Sequence, residues 1–100
     1  MAWTMRERKV PGGKLLRVKA ECDGGIVSNV LIEGDFFLFP EEGIVKLEQA
    51  LIGVSPTDKE ESMRRLERTL LENRLQIVGF SLRDIAELLE EIRCSRTDGA

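Results

Sequence analysis

One hundred residues with 42% hydrophobic side chains suffice for one globular domain, exclude a second, and leave no room for a deep private pocket. No apolar run nears the roughly 20 residues of a membrane helix, and Met1 to Arg8 lacks the apolar stretch of a secretory signal, so a soluble cytoplasmic chain is expected. With no histidine, two cysteines and a net charge of −3, Ser-His and Cys-His nucleophilic pairs and a Cys/His zinc site are all excluded.

The charge is unevenly spread. Residues 1–20 carry Arg6, Arg8, Lys9, Lys14, Arg17 and Lys19 against Glu7 alone, whereas residues 21–61 carry ten acids against Lys46 and Lys59. From residue 62 onward the signs balance, seven against seven. A basic arm on an acidic body can meet an acidic protein or a nucleotide phosphate. Nucleic acid is set aside, because the arm has one aromatic, Trp3, and no recognised nucleic-acid motif. Charged residues reach 33% while Asn and Gln total four, a bias towards thermophiles.

In chain order, residues 1–13 are expected to form an extended basic arm closed by the turn Pro11-Gly12-Gly13. From residue 14 to 94 a single domain follows. Leu16, Val18, Ala20 and Cys22 alternate with Leu15, Arg17, Lys19 and Glu21, the period of a half-buried strand. Asp23-Gly24-Gly25 predicts a hairpin turn, with a return strand from Ile26 to Phe39 broken or bulged near Gly34. Pro40 is expected to start a helix with Glu41 and Glu42 in its first turn, a stripe of Ile44, Leu47 and Leu51, and Gly53 as its C-terminal cap. Thr57 with Glu60 reads as a capping box for a second helix with the stripe Met63, Leu66 and Leu70. Leu75 to Phe80 predicts a third strand, and Ser81 caps a last helix whose apolar face is Ile85, Leu88, Leu89 and Ile92. Residues 95–100 read as a frayed polar tail. The expected fold is α+β, a small antiparallel sheet of three or so strands packed against three helices in the order β-β-α-α-β-α.

Signatures of chemistry fail one by one. Pro11-Gly12-Gly13-Lys14 has a Gly-Lys step but not the spacing of a phosphate loop, and a strand rather than a helix follows it. The acid pairs Glu41/Glu42 and Glu60/Glu61 stand at helix starts, where they favour the helix dipole. Cys22 and Cys94 are read as buried or idle thiols, and Glu21 and Asp23 disfavour a Cys22 thiolate. No catalytic or metal-binding residue is expected. Three of the four phenylalanines lie in Gly34-Asp35-Phe36-Phe37-Leu38-Phe39-Pro40. If Val30, Ile32, Phe36 and Leu38 face the core, Phe37 and Phe39 face outward beside Glu33 and Asp35, an aromatic patch suited to a partner protein. A bulge at Gly34 or a covering helix would instead hide all of them.

The segments Lys9-Val10-Pro11-Gly12-Gly13-Lys14-Leu15-Leu16-Arg17-Val18, Gly34-Asp35-Phe36-Phe37-Leu38-Phe39-Pro40-Glu41-Glu42 and Ala50-Leu51-Ile52-Gly53 together resemble the C-terminal accessory domain of lipoate–protein ligases. In some archaea that domain is a separate small subunit. The resemblance runs over roughly residues 8–93 and implies a heterodimer with a large catalytic subunit. That subunit holds lipoate, ATP and Mg, forms lipoyl-adenylate with release of pyrophosphate, and transfers the lipoyl group to a lysine of an acceptor domain. The small domain is needed for the activation step and packs beside the large subunit's active site. The family's catalytic lysine has no counterpart here, so the chain binds no cofactor alone and is no enzyme by itself. The resemblance places the loop of Lys9, Pro11, Gly12, Gly13 and Lys14 towards the large subunit; Arg17 is a further candidate for partner binding beside it, and the alternation adds Phe37 and Phe39. Two alternatives stand beside it: a sulfur-transfer accessory protein, which needs a reactive thiol at Cys22, and a generic protein-interaction adaptor.

Overall fold

Apolar side chains at every second position from Leu16 place that stretch at the centre of a three-stranded antiparallel sheet. The computed structural model describes residues 3–10, 12, 14–92 and 94. The elements are β1 (Thr4–Val10), β2 (Lys14–Asp23), β3 (Ile26–Gly34), β4 (Phe37–Phe39), α1 (Gly43–Ala50), α2 (Lys59–Glu72), β5 (Gln76–Val78) and α3 (Leu82–Ile92). The sheet order is β1-β2-β3, and β4 with β5 makes a second, two-stranded antiparallel sheet. Leu16, Val18 and Ala20 of β2 and Val30 and Ile32 of β3 are buried under Leu47, Leu51, Leu66, Ile85, Leu88, Leu89 and Ile92 from the helices. α3 lies over β1 and β2, α1 lies beside β3, and α2 packs on both helices. The α+β class and the helix-covered antiparallel sheet are as the alternation predicts, with two further strands. Among the described residues no helix is long and apolar enough to cross a membrane.

The stretch expected as an arm is strand β1. Its backbone pairs with β2 from Thr4 opposite Ala20 to Val10 opposite Lys14, so partner strand and turn fix it more firmly than its polar sequence suggests. The return strand stops at Gly34, where φ is +146° and an added Cβ would collide with the Leu15 carbonyl oxygen. Asp35 N–H donates to that same oxygen at 2.8 Å, and the chain then leaves the first sheet. β4 pairs instead with β5, Phe37 opposite Val78 and Phe39 opposite Gln76.

Helix starts also differ from expectation. Gly43, Ile44 and Val45 N–H donate to the carbonyls of Pro40, Glu41 and Glu42, so tight turns precede α1 and neither acid sits in its first turn. Gly43 is enclosed: a Cβ there would meet the side chains of Leu75 and Leu38. Asp58 rather than Thr57 caps α2, accepting the Glu61 N–H at 3.1 Å, while the Thr57 hydroxyl lies 3.2 Å from that of Ser55. Ser81 caps α3 as expected: its N–H donates to Asp84 Oδ2 at 2.8 Å and its Oγ accepts the Asp84 N–H at 3.3 Å.

The cysteines are not separate thiols. Cys22 and Cys94 form a disulfide with Cα atoms 5.3 Å apart, joining the end of β2 to the residues after α3. Two thiols 72 positions apart become neighbours only once α3 lies along the sheet, and spacing alone does not reveal it. The bond also removes the free thiol at Cys22 on which a sulfur-transfer role depends.

Candidate partner-binding surface

The residues singled out by sequence fall on two surfaces. The first is the tip of the β1–β2 hairpin, where Val10 pairs with Lys14 and Lys9 with Leu15. Directly opposed residues share a sheet face, so Lys14 starts from the helix side with Val10 and Lys9 from the other side with Leu15. Both lysines are exposed. Gly12 stands between them at φ +98°, and Pro11 and Gly13 lie outside the described residues. The two lysines therefore flank the tip on opposite faces and do not form one cradle.

Much of the basic arm is neutralised within the chain. Arg8 NH1 donates to Glu87 at 2.8 Å and to Asp84 at 3.3 Å, with Glu91 at 3.5 Å from NH2, all three acids on α3. The bond to Glu87 raises the Arg8 guanidinium above its ordinary range and holds the Glu87 carboxyl below that of an ordinary glutamate. On the open face, Arg17 Nε donates to Glu7 at 2.9 Å and its NH1 lies 3.7 Å from Glu33, which also lies 3.5 Å from Lys19. Arg17 thus knits β1, β2 and β3 together rather than standing free. Among the described residues, Arg6, Lys9 and Lys14 are the cations of residues 1–20 outside any ion pair. The acids that claim Arg8 lie 76 or more positions along the chain, beyond the reach of a local charge count.

The second surface is the β4–β5 ribbon. Leu38 is buried and Ile77 packs against the core, so alternation turns Phe37 and Phe39 outward, 64% and 56% exposed. Phe36 turns inward, its ring 4.7 Å from that of Phe80 and edge-on to it. Val78, opposite Phe37, extends the patch and is 61% exposed. Sequence reasoning missed Val78, because a pairing between segments forty residues apart has no local signal. The break at Gly34 is real, yet it leaves Phe37 outside the core. A cavity of about 380 Å³ opens beside the ribbon, with Phe36, Phe37, Phe39 and Ile44 in its wall and Glu33 and Glu41 in its lining.

Among the described residues no group of three or more Cys, Asp or Glu is placed to hold a metal ion. What the two surfaces offer is contact: cations at a hairpin tip, and exposed aromatic rings beside carboxylates.

Comparison with known proteins gives these surfaces a family. Residues 4–89 match the family described as "Bacterial lipoate protein ligase C-terminus". The chain is 46% identical over 41 residues to "Lipoate-protein ligase A subunit 2" of Thermoplasma acidophilum, covering 41% of this chain and 44% of that relative. The matched part is thus under half of the relative's length. This chain also superposes with a TM-score of 0.67 and 27% identity on a chain from the structural analysis of an archaeal lipoylation system, a bi-partite lipoate protein ligase and its E2 lipoyl domain from Thermoplasma acidophilum. That superposition covers 88% of this chain and 97% of the other. Since the family match runs from β1 into α3, this chain belongs to the lipoate protein ligase C-terminal family.

Proposed function

We propose that the chain is the small accessory subunit of a bipartite lipoate–protein ligase, required with a large catalytic subunit for ATP-dependent formation of lipoyl-adenylate. The observation that carries this is the superposition over 97% of a chain from such a bipartite ligase. Lipoate, ATP and Mg belong to the large subunit, and the product serves a lipoyl acceptor domain in the cytoplasm. This chain's residues act by docking. Phe37 and Phe39 contact the large subunit, and the hairpin tip, with Lys9, Gly12, Lys14 and the neighbouring Pro11 and Gly13, approaches its active site. Arg17 supports that hairpin by bridging Glu7 and Glu33.

The test is lipoate-dependent pyrophosphate release by the large subunit alone, this chain alone and their mixture. Activity is expected in the mixture and not in this chain, and equal rates for the large subunit and the mixture would reject the accessory role. In the mixture, Phe37→Ala is expected to weaken association by about 2 kcal/mol or more, with the melting of the isolated chain shifted by no more than about 0.5 kcal/mol. Lys9→Ala with Lys14→Ala should lower activation without lowering the melting temperature. A parallel fall in both would make the lysines structural.

A further inference from the structure

The exposed ribbon face carries a chemical bias that an aromatic patch alone lacks. Between Glu33 and Glu42 stand four carboxylates, Glu33, Asp35, Glu41 and Glu42, and no basic side chain. Glu33 is shared by Arg17 and Lys19 at 3.7 and 3.5 Å. Asp35, Glu41 and Glu42 enter no ion pair among the described residues. Glu41 lines the same cavity as Phe37 and Phe39, so uncompensated negative charge and exposed aromatic surface converge on one opening. Its volume of about 380 Å³ exceeds that of a single large side chain.

The complement of such a site has an apolar stem to lie along phenyl rings and a cationic head to reach a carboxylate. Arginine suits it better than lysine, since a planar guanidinium stacks on aromatic faces and bonds carboxylates bidentately. We infer that the β4–β5 face receives an apolar segment of the large subunit bearing an arginine, whose side chain enters the cavity beside Phe37 and Phe39 and pairs with Glu41. The inference rests on the accessory-subunit function and adds the chemistry of the docking partner. It also gives Glu41 a role, since the tight turns before α1 place this acid outside the helix it would otherwise cap.

The experiment titrates the purified large subunit with the full chain and its Glu41→Lys, Glu41→Gln and Glu60→Lys variants by calorimetry, at low and high salt. Glu60 lies in the first turn of α2 and controls for net charge. Expected are unchanged melting for both Glu41 variants and a small fall in melting temperature for Glu60→Lys, which places a cation at a helix N-terminus. Binding should show about a tenfold or greater loss of affinity for Glu41→Lys, and a weaker salt dependence for Glu41→Gln than for the wild type. Wild-type affinity in Glu41→Lys, or an equal loss in Glu60→Lys, overturns the inference while leaving the accessory function standing. Absence of binding by the wild-type chain rejects the accessory function and this inference with it. Sedimentation of the chain alone supplies the remaining outcome: self-association abolished by Phe37→Ala would make a second copy the occupant and overturn the proposal.

Discussion

Glu48 reaches from α1 to the backbone of β3, where one carboxylate oxygen accepts the Ile32 N–H at 2.8 Å. Together with Val27, whose N–H donates to the Val54 carbonyl at 2.9 Å and whose carbonyl accepts the Gly53 N–H at 2.8 Å, this closes much of the free edge of β3 against further strand pairing. Burial pushes the Glu48 carboxyl above the ordinary glutamate range, opposed by the Ile32 hydrogen bond. A carboxyl raised in the folded state favours its protonated form there. Its contribution to stability is therefore fully present below the unfolded glutamate pKa and is lost as pH rises through the folded value. Glu48→Gln keeps an acceptor without the charge and should melt at or slightly above the wild type at neutral pH, the gap narrowing towards about pH 4. Glu48→Ala leaves the Ile32 N–H without its acceptor and should cost about 1–3 kcal/mol. Thermal melts across that range check both, and a gap that widens on acidification would contradict the burial effect. Nothing around residue 48 announces this role, because the acceptor's target is the backbone of another element. The outward faces of Phe37 and Phe39, by contrast, are legible from alternation with Leu38 alone.

At the scale of elements, hydrophobic periodicity identifies β2, β3 and the three helices, since each buries one face locally. It does not show β1, whose polar alternation carries no apolar signal, or that β4 exchanges one sheet for another. That exchange depends on a close approach of Gly34 to Leu15 and on a partner strand beyond α2. The helix starts shift for a similar reason, as enclosed Gly43 and the Asp58 carboxylate settle boundaries that composition leaves open. The ribbon's two faces yield a sharp contrast. Phe36→Ala removes the ring packed on Phe80 and should cost about 2 kcal/mol or more, whereas Phe37→Ala should cost no more than about 0.5 kcal/mol. Urea unfolding of the two variants measures the difference. Equal losses would mean that the ribbon does not separate an inner from an outer face.

Across the whole molecule, two ties hold α3 to the sheet: the fork from Arg8 to Asp84, Glu87 and Glu91, and the Cys22–Cys94 bond. Neither tie was legible, because both link the first quarter of the chain to its last. A cross-link between residues 72 positions apart restricts the unfolded chain enough to stabilise the fold by roughly 4 kcal/mol on the chain-entropy account. Melting with and without a dithiol reductant, and of Cys22→Ser, should show a loss of that order. An unchanged midpoint would mean that packing alone secures α3.

The same bond makes residues 22–94 a closed covalent loop that holds every element from β3 to α3. A protease that cuts once in the exposed residues between α1 and α2, such as Thr57 or Asp58, opens the ring but releases no piece of it. The nicked molecule would migrate as one species of 11.3 kDa until reduced and as two fragments afterwards. Damage at a surface loop would then leave α2, β5 and α3 travelling with the hairpin tip and β4, joined through sulfur where the peptide chain no longer joins them.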